Sequence, residues 1–149
     1  LKKISLSLLT VQKEVGEKFV AHPGNKNYGP ISILLSLYTD SKICYSLKKD
    51  VFFPKPEVQS VAVKIIPLEQ PKIEVEKKFW EFLPLIFNNR RKKLVNVINK
   101  IFKLSKEDII KIINKIGISE NSRVEELEPE KIYQLYQMVN IQATVFPEK

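Results

Sequence analysis

The densest positive cluster in the sequence is Asn88-Asn89-Arg90-Arg91-Lys92-Lys93, and no acid occurs between Glu81 and Glu107. Lys100, Lys103 and Lys106 extend it. Phosphates are held by cations on a rigid support, and arginine adds a two-pronged geometry. On a helix from Arg90 to Lys103, positions 92, 96, 99, 100 and 103 share a face opposite Leu94, Ile98 and Ile101. A solvated face of a lysine-rich protein carries the same pattern. The second candidate is Phe52-Phe53-Pro54-Lys55-Pro56-Glu57. Two prolines two apart fix φ and forbid helix, so the segment reads as a stiff loop that holds an aromatic ring in place. Such a ring can stack on a nucleic-acid base, and core packing is its other reading.

The chain has 149 residues, with 25 Lys+Arg against 17 Asp+Glu and a formal charge of +8. That balance favours polyanionic partners. Scarce residues exclude whole classes of chemistry. Cys44 is the only cysteine, so no internal disulfide and no cysteine-based zinc site is encoded. His22 is the only histidine and sits in the turn sequence His22-Pro23-Gly24, a poor place for a catalytic imidazole. The four glycines, at 16, 24, 29 and 117, are too far apart for a nucleotide cradle. Glu125-Glu126-Glu128 reads as an anion cluster at a helix terminus, and no paired carboxylates stand out. No apolar run has the length of a membrane span and no signal peptide is visible, so the expectation is a soluble cytoplasmic protein with no membrane and no metal. The chain starts at Leu1 and its only methionine is Met138, which reads as a processed chain or a fragment.

The elements that must position these residues fall into two halves. Ile4 to Val11 reads as a strand, apolar on both faces and therefore of the buried parallel kind. Lys13 to Ala21 reads as a short helix, His22 to Pro30 as a loop, and Ile31 to Tyr38 as a helix by its place in the order. Ile43 to Leu47 and Val58 to Ile66 are strand candidates. From Ile73 onward the signal is helical. Phe79, Phe82, Leu83, Ile86 and Phe87 form an apolar stripe, which Pro84 should kink or restart. Ser105 begins a capping box, Gly117 suits the end of that helix, and Pro129 suits the first position of a last one with Ile132, Leu135, Tyr136 and Val139 inward. The order is α/β first and all-helical second, with the boundary near Pro67 to Pro71.

Five short patterns then occur in order. They are Gln12-Lys13-Glu14-Val15; Tyr28-Gly29; Phe52-x-Pro54-x-Pro56-x-Val58-x-Ser60; Phe87-x-x-Arg90-Arg91-Lys92-x-x-x-Asn96; and Gly117-Ile118 with Arg123-x-Glu125-x-Leu127. Together, over about residues 4 to 140, the chain resembles the small-subunit ribosomal RNA adenine N6,N6-dimethyltransferases of the KsgA type. The resemblance implies the C-terminal strands of a Rossmann-like methyltransferase domain over 1–70 and a small helical RNA-binding domain over 71–149. It implies methyl transfer from S-adenosylmethionine to two adjacent adenines near the 3′ end of small-subunit rRNA, with the pre-30S particle as partner and a monomer when intact. It places Phe52 against the extruded adenine and Arg90, Arg91 and Lys92 at the RNA, with Lys93, Asn96 and Lys100 beside them. The family's cofactor loop and its Asn-Leu-Pro-Tyr motif would lie upstream, so the chain alone should neither hold the donor nor turn over. Pro30 and Val95 stand where family members often carry basic residues. A non-catalytic RNA-binding or ribosome-assembly module is the alternative. The erythromycin-resistance methyltransferases of the large subunit share the Phe-x-Pro-x-Pro-x-Val loop but lack a comparable Phe-x-x-Arg-Arg-Lys element.

Overall fold

The computed structural model describes residues 4–145, with side chains described to position 140. The chain divides into two compact units, Leu1–Glu74 and Val75–Lys149.

The first unit is a three-stranded sheet with two helices. Its elements are β1 (Ser7–Gln12), α1 (Lys13–Phe19), α2 (Pro30–Tyr38), β2 (Thr39–Leu47) and β3 (Ser60–Pro67). The sheet order is β1-β3-β2, and both pairings are antiparallel. Val11 faces Val61 and Leu9 faces Val63, so one parity of each strand builds a branched apolar face. Val61 and Val63 are fully buried in it. Helix α1 lies close on that face through Gly16. A methyl group on Gly16 would run into Val61 Cγ2 and stand 3.2 Å from Val63 Cγ2.

Alanine is the better helix former at such a position by about 1 kcal/mol. Overpacking outweighs that preference here, since it costs about 1–3 kcal/mol. Gly16→Ala is therefore expected to destabilise the first unit by up to about 2 kcal/mol. Urea unfolding of this variant against the parent checks the sign; an unchanged or raised midpoint would contradict the close approach of α1 to β3.

Among the described residues of this unit, Ser32 is the buried polar one. Its hydroxyl donates to the Lys18 carbonyl at 2.6 Å and accepts from the Gly29 amide at 3.1 Å, fastening the start of α2 to the end of α1. With Pro30 at its first position, α2 then begins where φ is already set. At the far end, Thr39 Oγ1 donates to the Leu35 carbonyl at 2.7 Å. Cys44 is bulged out of the register between Ile43 and Tyr45, which shifts the parity of β2.

One expectation is corrected. The first strand is antiparallel to β3, and Leu8, Leu9 and Thr10 are exposed. A run apolar on both parities satisfies a buried strand, but β1 pairs on one side only among the described residues. The helices that cover a sheet face in this unit, α1 and α2, leave Leu6 and Leu8 in water.

The second unit is helical: α3 (Lys77–Phe87), α4 (Leu94–Phe102), α5 (Lys106–Lys115) and α6 (Pro129–Val145), with a short 3-10 turn at Val124–Glu126. Its core is aromatic at one end. The Phe79 ring is fully buried, with centroids 5.1 Å from Tyr133, 5.4 Å from Tyr136 and 5.3 Å from Trp80. Phe82 continues the cluster to Phe102 at 5.9 Å. Leu94, Ile98, Ile109, Ile113, Ile132 and Leu135 fill the rest. The Tyr136 hydroxyl donates to Glu76 Oε2 at 3.2 Å. Burial first, and the Glu76 carboxylate second, push the Tyr136 phenol above its ordinary range.

The helix ends obey their local signals. Ser105 Oγ accepts from the Asp108 amide at 3.1 Å and also donates to the Asp108 carboxylate at 2.7 Å. The Ser105 hydroxyl first, and Lys111 next, hold the Asp108 carboxyl below its usual value. Gly117 has φ +69° just after α5, where a side chain would be strained. Pro129 opens α6. Helix α3, by contrast, runs unbroken through Pro84. That ring is exposed, while Phe82, Leu83 and Ile86 are buried and hold the last turn down.

Candidate nucleic-acid interface

The expected continuous helix from Arg90 to Lys103 is not what forms. α3 ends at Phe87, residues 88–93 make turns, and α4 starts only at Leu94. The Arg90 amide donates to the Phe87 carbonyl at 3.2 Å and the Lys92 amide to the Asn89 carbonyl at 2.8 Å. The cause is distant in sequence. Lys93 pairs with Arg123 as an antiparallel bridge, and the Leu94 amide donates to the Ser122 carbonyl at 2.9 Å. The backbone at 93 is extended by this pairing, so a helix cannot pass through it. Positions 92, 96, 99, 100 and 103 therefore do not share one helical face. Asn96 and Lys100 are exposed on α4, and Lys103 sits at its end with φ +58°. Asn99 is used structurally, its amide donating to the Leu104 carbonyl at 2.8 Å.

What replaces the helical face is a cationic turn around a depression of about 320 Å3, lined by Phe87, Asn88, Asn89, Arg90, Arg91 and Lys92. Arg91 and Lys92 are exposed and make no ion pair among the described residues. Arg90 is half-buried, and its Nε lies 3.4 Å from Glu125 Oε2. Lys93 Nζ donates to Asn121 Oδ1 at 2.7 Å. Arg90 and Lys93 thus brace the turn, and Arg91 and Lys92 are its outward charges.

The electrostatics favour an external anion. The turn sits at the N-terminal, positive end of α4, where anions are stabilised and cations are not. Helices α5 and α6 carry acids in their first turns, namely Glu107 and Asp108, and Glu130. Helix α4 has none. Arg123 was not among the candidate contacts; the bridge to Lys93 brings its exposed side chain beside the cluster. Arg123 stands in the Arg123-x-Glu125-x-Leu127 pattern of the sequence, but its place beside Lys93 depends on a pairing across thirty residues.

The aromatic loop belongs to the first unit. Phe52 is half-buried and Phe53 wholly exposed. Two lysines tie the loop across itself: Lys55 pairs with the Asp50 carboxylate, and Lys49 donates to the Glu57 carbonyl. Its exit is pinned where the Lys13 amide donates to the Gln59 carbonyl at 2.8 Å. His22 is exposed in its turn. Among the described residues no group of acids, histidine or cysteine is arranged to hold a metal, and no helix is long and apolar enough to cross a membrane.

The family pattern described as ribosomal RNA adenine dimethylase matches residues 2–141. The chain belongs to that family. Ribosomal RNA small subunit methyltransferase A of Natranaerobius thermophilus is 35% identical over 138 residues, covering 91% of this chain and 46% of the relative. The protein of the same name in Clostridium acetobutylicum is 38% identical over 133 residues, covering 88% and 48%. The chain thus spans about half the length of the curated relatives it matches. Among solved structures, a dimethyladenosine transferase from Plasmodium falciparum superposes with a TM-score of 0.78 at 20% identity, over 93% of this chain and 59% of that one. The 23S rRNA methyltransferase ErmE gives 0.58 at 14% identity, over 91% and 55%. The fold is the α/β fold of such enzymes, here a small sheet with six α-helices among the described residues.

Members of the family depend on S-adenosylmethionine. The four glycines of this dimethylase-family chain lie apart, one inside α1 and the others in turns and at helix ends. Gly16 is filled by Val61, Gly24 and Gly29 meet nothing within 4 Å, and Gly117 ends α5. β1 runs into α1 directly at Gln12-Lys13, with no glycine-lined turn between strand and helix for a ligand to approach.

Proposed function

We propose that this chain is the RNA-engaging portion of a small-subunit rRNA adenine N6,N6-dimethyltransferase. The observation that carries the reading is the open cationic turn at 88–93, with Arg91 and Lys92 exposed at the positive end of α4. The substrate is small-subunit rRNA, as the names of the curated relatives support, its adenines, as the family description supports, and among them the adjacent pair near the 3′ end that the sequence resemblance implies. The first unit is the C-terminal portion of a Rossmann-like domain, and the helical second unit is the RNA-binding domain. Arg91 and Lys92 contact phosphates, Arg90 and Lys93 hold the turn in shape, and Asn96 and Lys100 extend the contact along α4. Phe52 supplies a ring face for the extruded adenine, since an unstacked base regains its stacking energy on an aromatic side chain. The methyl donor is held by residues other than those described, so 1–149 alone binds RNA without turning over.

The curated relatives at 35% and 38% identity are small-subunit methyltransferases, which favours the small-subunit enzyme over the erythromycin-resistance type, whose likeness here is of fold alone. A non-catalytic assembly module would share the RNA contacts. Two titrations test the reading. The chain should retain a small-subunit rRNA 3′ hairpin at physiological salt and show no saturable binding of labelled S-adenosylmethionine. Failure to retain the hairpin would remove the function; donor binding by 1–149 would overturn the division of labour.

A further inference from the structure

Phe53 is 103% exposed, a whole phenyl ring standing in water. Single exposed apolar side chains are ordinary. This one is set apart by its support. Pro54 and Pro56 fix two backbone φ values beside it, and the Lys55–Asp50 pair and the Lys49–Glu57 contact close the loop beneath it. At Phe52 the backbone is extended, with φ −114° and ψ 145°, and successive side chains of extended backbone point to opposite sides. The half-buried Phe52 accordingly turns toward the domain while Phe53 turns away from it. The two rings cannot serve the same base. A loop backbone held in place in advance loses little entropy when the ring it carries is covered, which suits a stacking platform.

We propose that Phe53 stacks on an unpaired RNA base flanking the one that Phe52 meets. The inference rests on the RNA reading above and adds a second nucleotide to it. Every base presents a π-face, so one ring is enough for the contact and no pocket is required. The neighbouring Lys48, exposed at the start of the loop, supplies a cation for an adjoining phosphate. A protein partner would instead use the loop as an apolar patch, with Val51 and Val58, also exposed, contributing alongside the ring.

The test uses the 149-residue chain and a short RNA hairpin with two adjacent unpaired adenines, read by fluorescence anisotropy. Two further hairpins carry an abasic ribose at one adenine or the other. Phe53→Ala should weaken binding to the intact hairpin about tenfold, the effect of losing one base stack. Phe53→Trp should bind at least as well as the parent, and Phe53→Leu should lose as much as Phe53→Ala. The tenfold difference should vanish on one abasic hairpin and persist on the other. A Phe53→Leu variant that binds like the parent would overturn the proposal in favour of an apolar contact. So would a Phe53→Ala loss equal on all three hairpins, or no loss at all. Running Arg91→Ala plus Lys92→Ala in parallel separates the two levels. If that pair weakens binding while Phe53→Ala does not, only the stacking inference fails; if the parent ignores every hairpin, the RNA reading itself fails. Phe53 buries nothing, so its variants should keep the parent's circular dichroism.

Discussion

Phe79→Ala should unfold the helical unit at temperatures where the parent is native. Truncating a fully buried phenylalanine costs about 3–5 kcal/mol, from lost apolar burial plus the cavity that remains. Phe79 is fully buried and its ring meets those of Trp80, Phe82, Tyr133 and Tyr136. Edge-to-face pairs of this kind add about 0.5–1.5 kcal/mol beyond area. A domain's whole stability is about 5–15 kcal/mol, so the loss takes a large share of it. Phe79→Leu keeps most of the volume and should lose clearly less. Thermal unfolding followed in the far ultraviolet checks both variants. A Phe79→Ala midpoint within a few degrees of the parent would show that the aromatic cluster does not hold α3 to α6.

That cluster was legible in the sequence. The spacing of Phe79, Phe82, Leu83 and Ile86 fits one stripe of a helix, and a stripe with that many large apolar groups has to be buried somewhere. Ser105, Gly117 and Pro129 marked helix ends because each acts on its own backbone or on the next turn, within the reach of local inspection. Two features were not legible for the opposite reason. Whether β1 is parallel or antiparallel depends on β3, which follows some fifty residues later. Strand composition reports burial and not direction, and in β1 even the burial differs from what composition implies. The break before α4 is imposed by Arg123 pairing with Lys93, while Arg91, Lys92 and Lys93 are all good helix formers by themselves. The cations were visible; the support that presents them was not. Pro84 does not restart the helix, since α3 continues through it to Phe87.

The relocation of the cations changes which ones matter. As a helical face, 92, 96, 99, 100 and 103 would share the load. As a turn, the load falls on Arg91 and Lys92, because Arg90 faces Glu125, Lys93 faces Asn121 and Asn99 is taken by Leu104. The Arg90–Glu125 pair is itself partly exposed, so its direct contribution to stability is under about 1 kcal/mol. Its role is to fix the turn. Arg90→Ala should therefore weaken RNA binding partly through shape, while changes at 91 and 92 act through charge alone.

The salt dependence of hairpin binding in the Arg91→Ala plus Lys92→Ala variant decides whether the turn at 88–93 meets RNA. Each phosphate contact contributes about 0.7 to the slope of log affinity against log salt on a single strand, and about 0.9 on a duplex by the value for B-form DNA. Losing two contacts should flatten the slope by about 1.4–1.8. Affinity near 0.1 M salt should fall at least about tenfold, or about 1.4 kcal/mol. Neither side chain is buried, so the unfolding midpoint should stay where it is. A flattened slope with unchanged stability is the predicted result. A slope equal to the parent's would mean that the turn at 88–93 does not touch the RNA backbone.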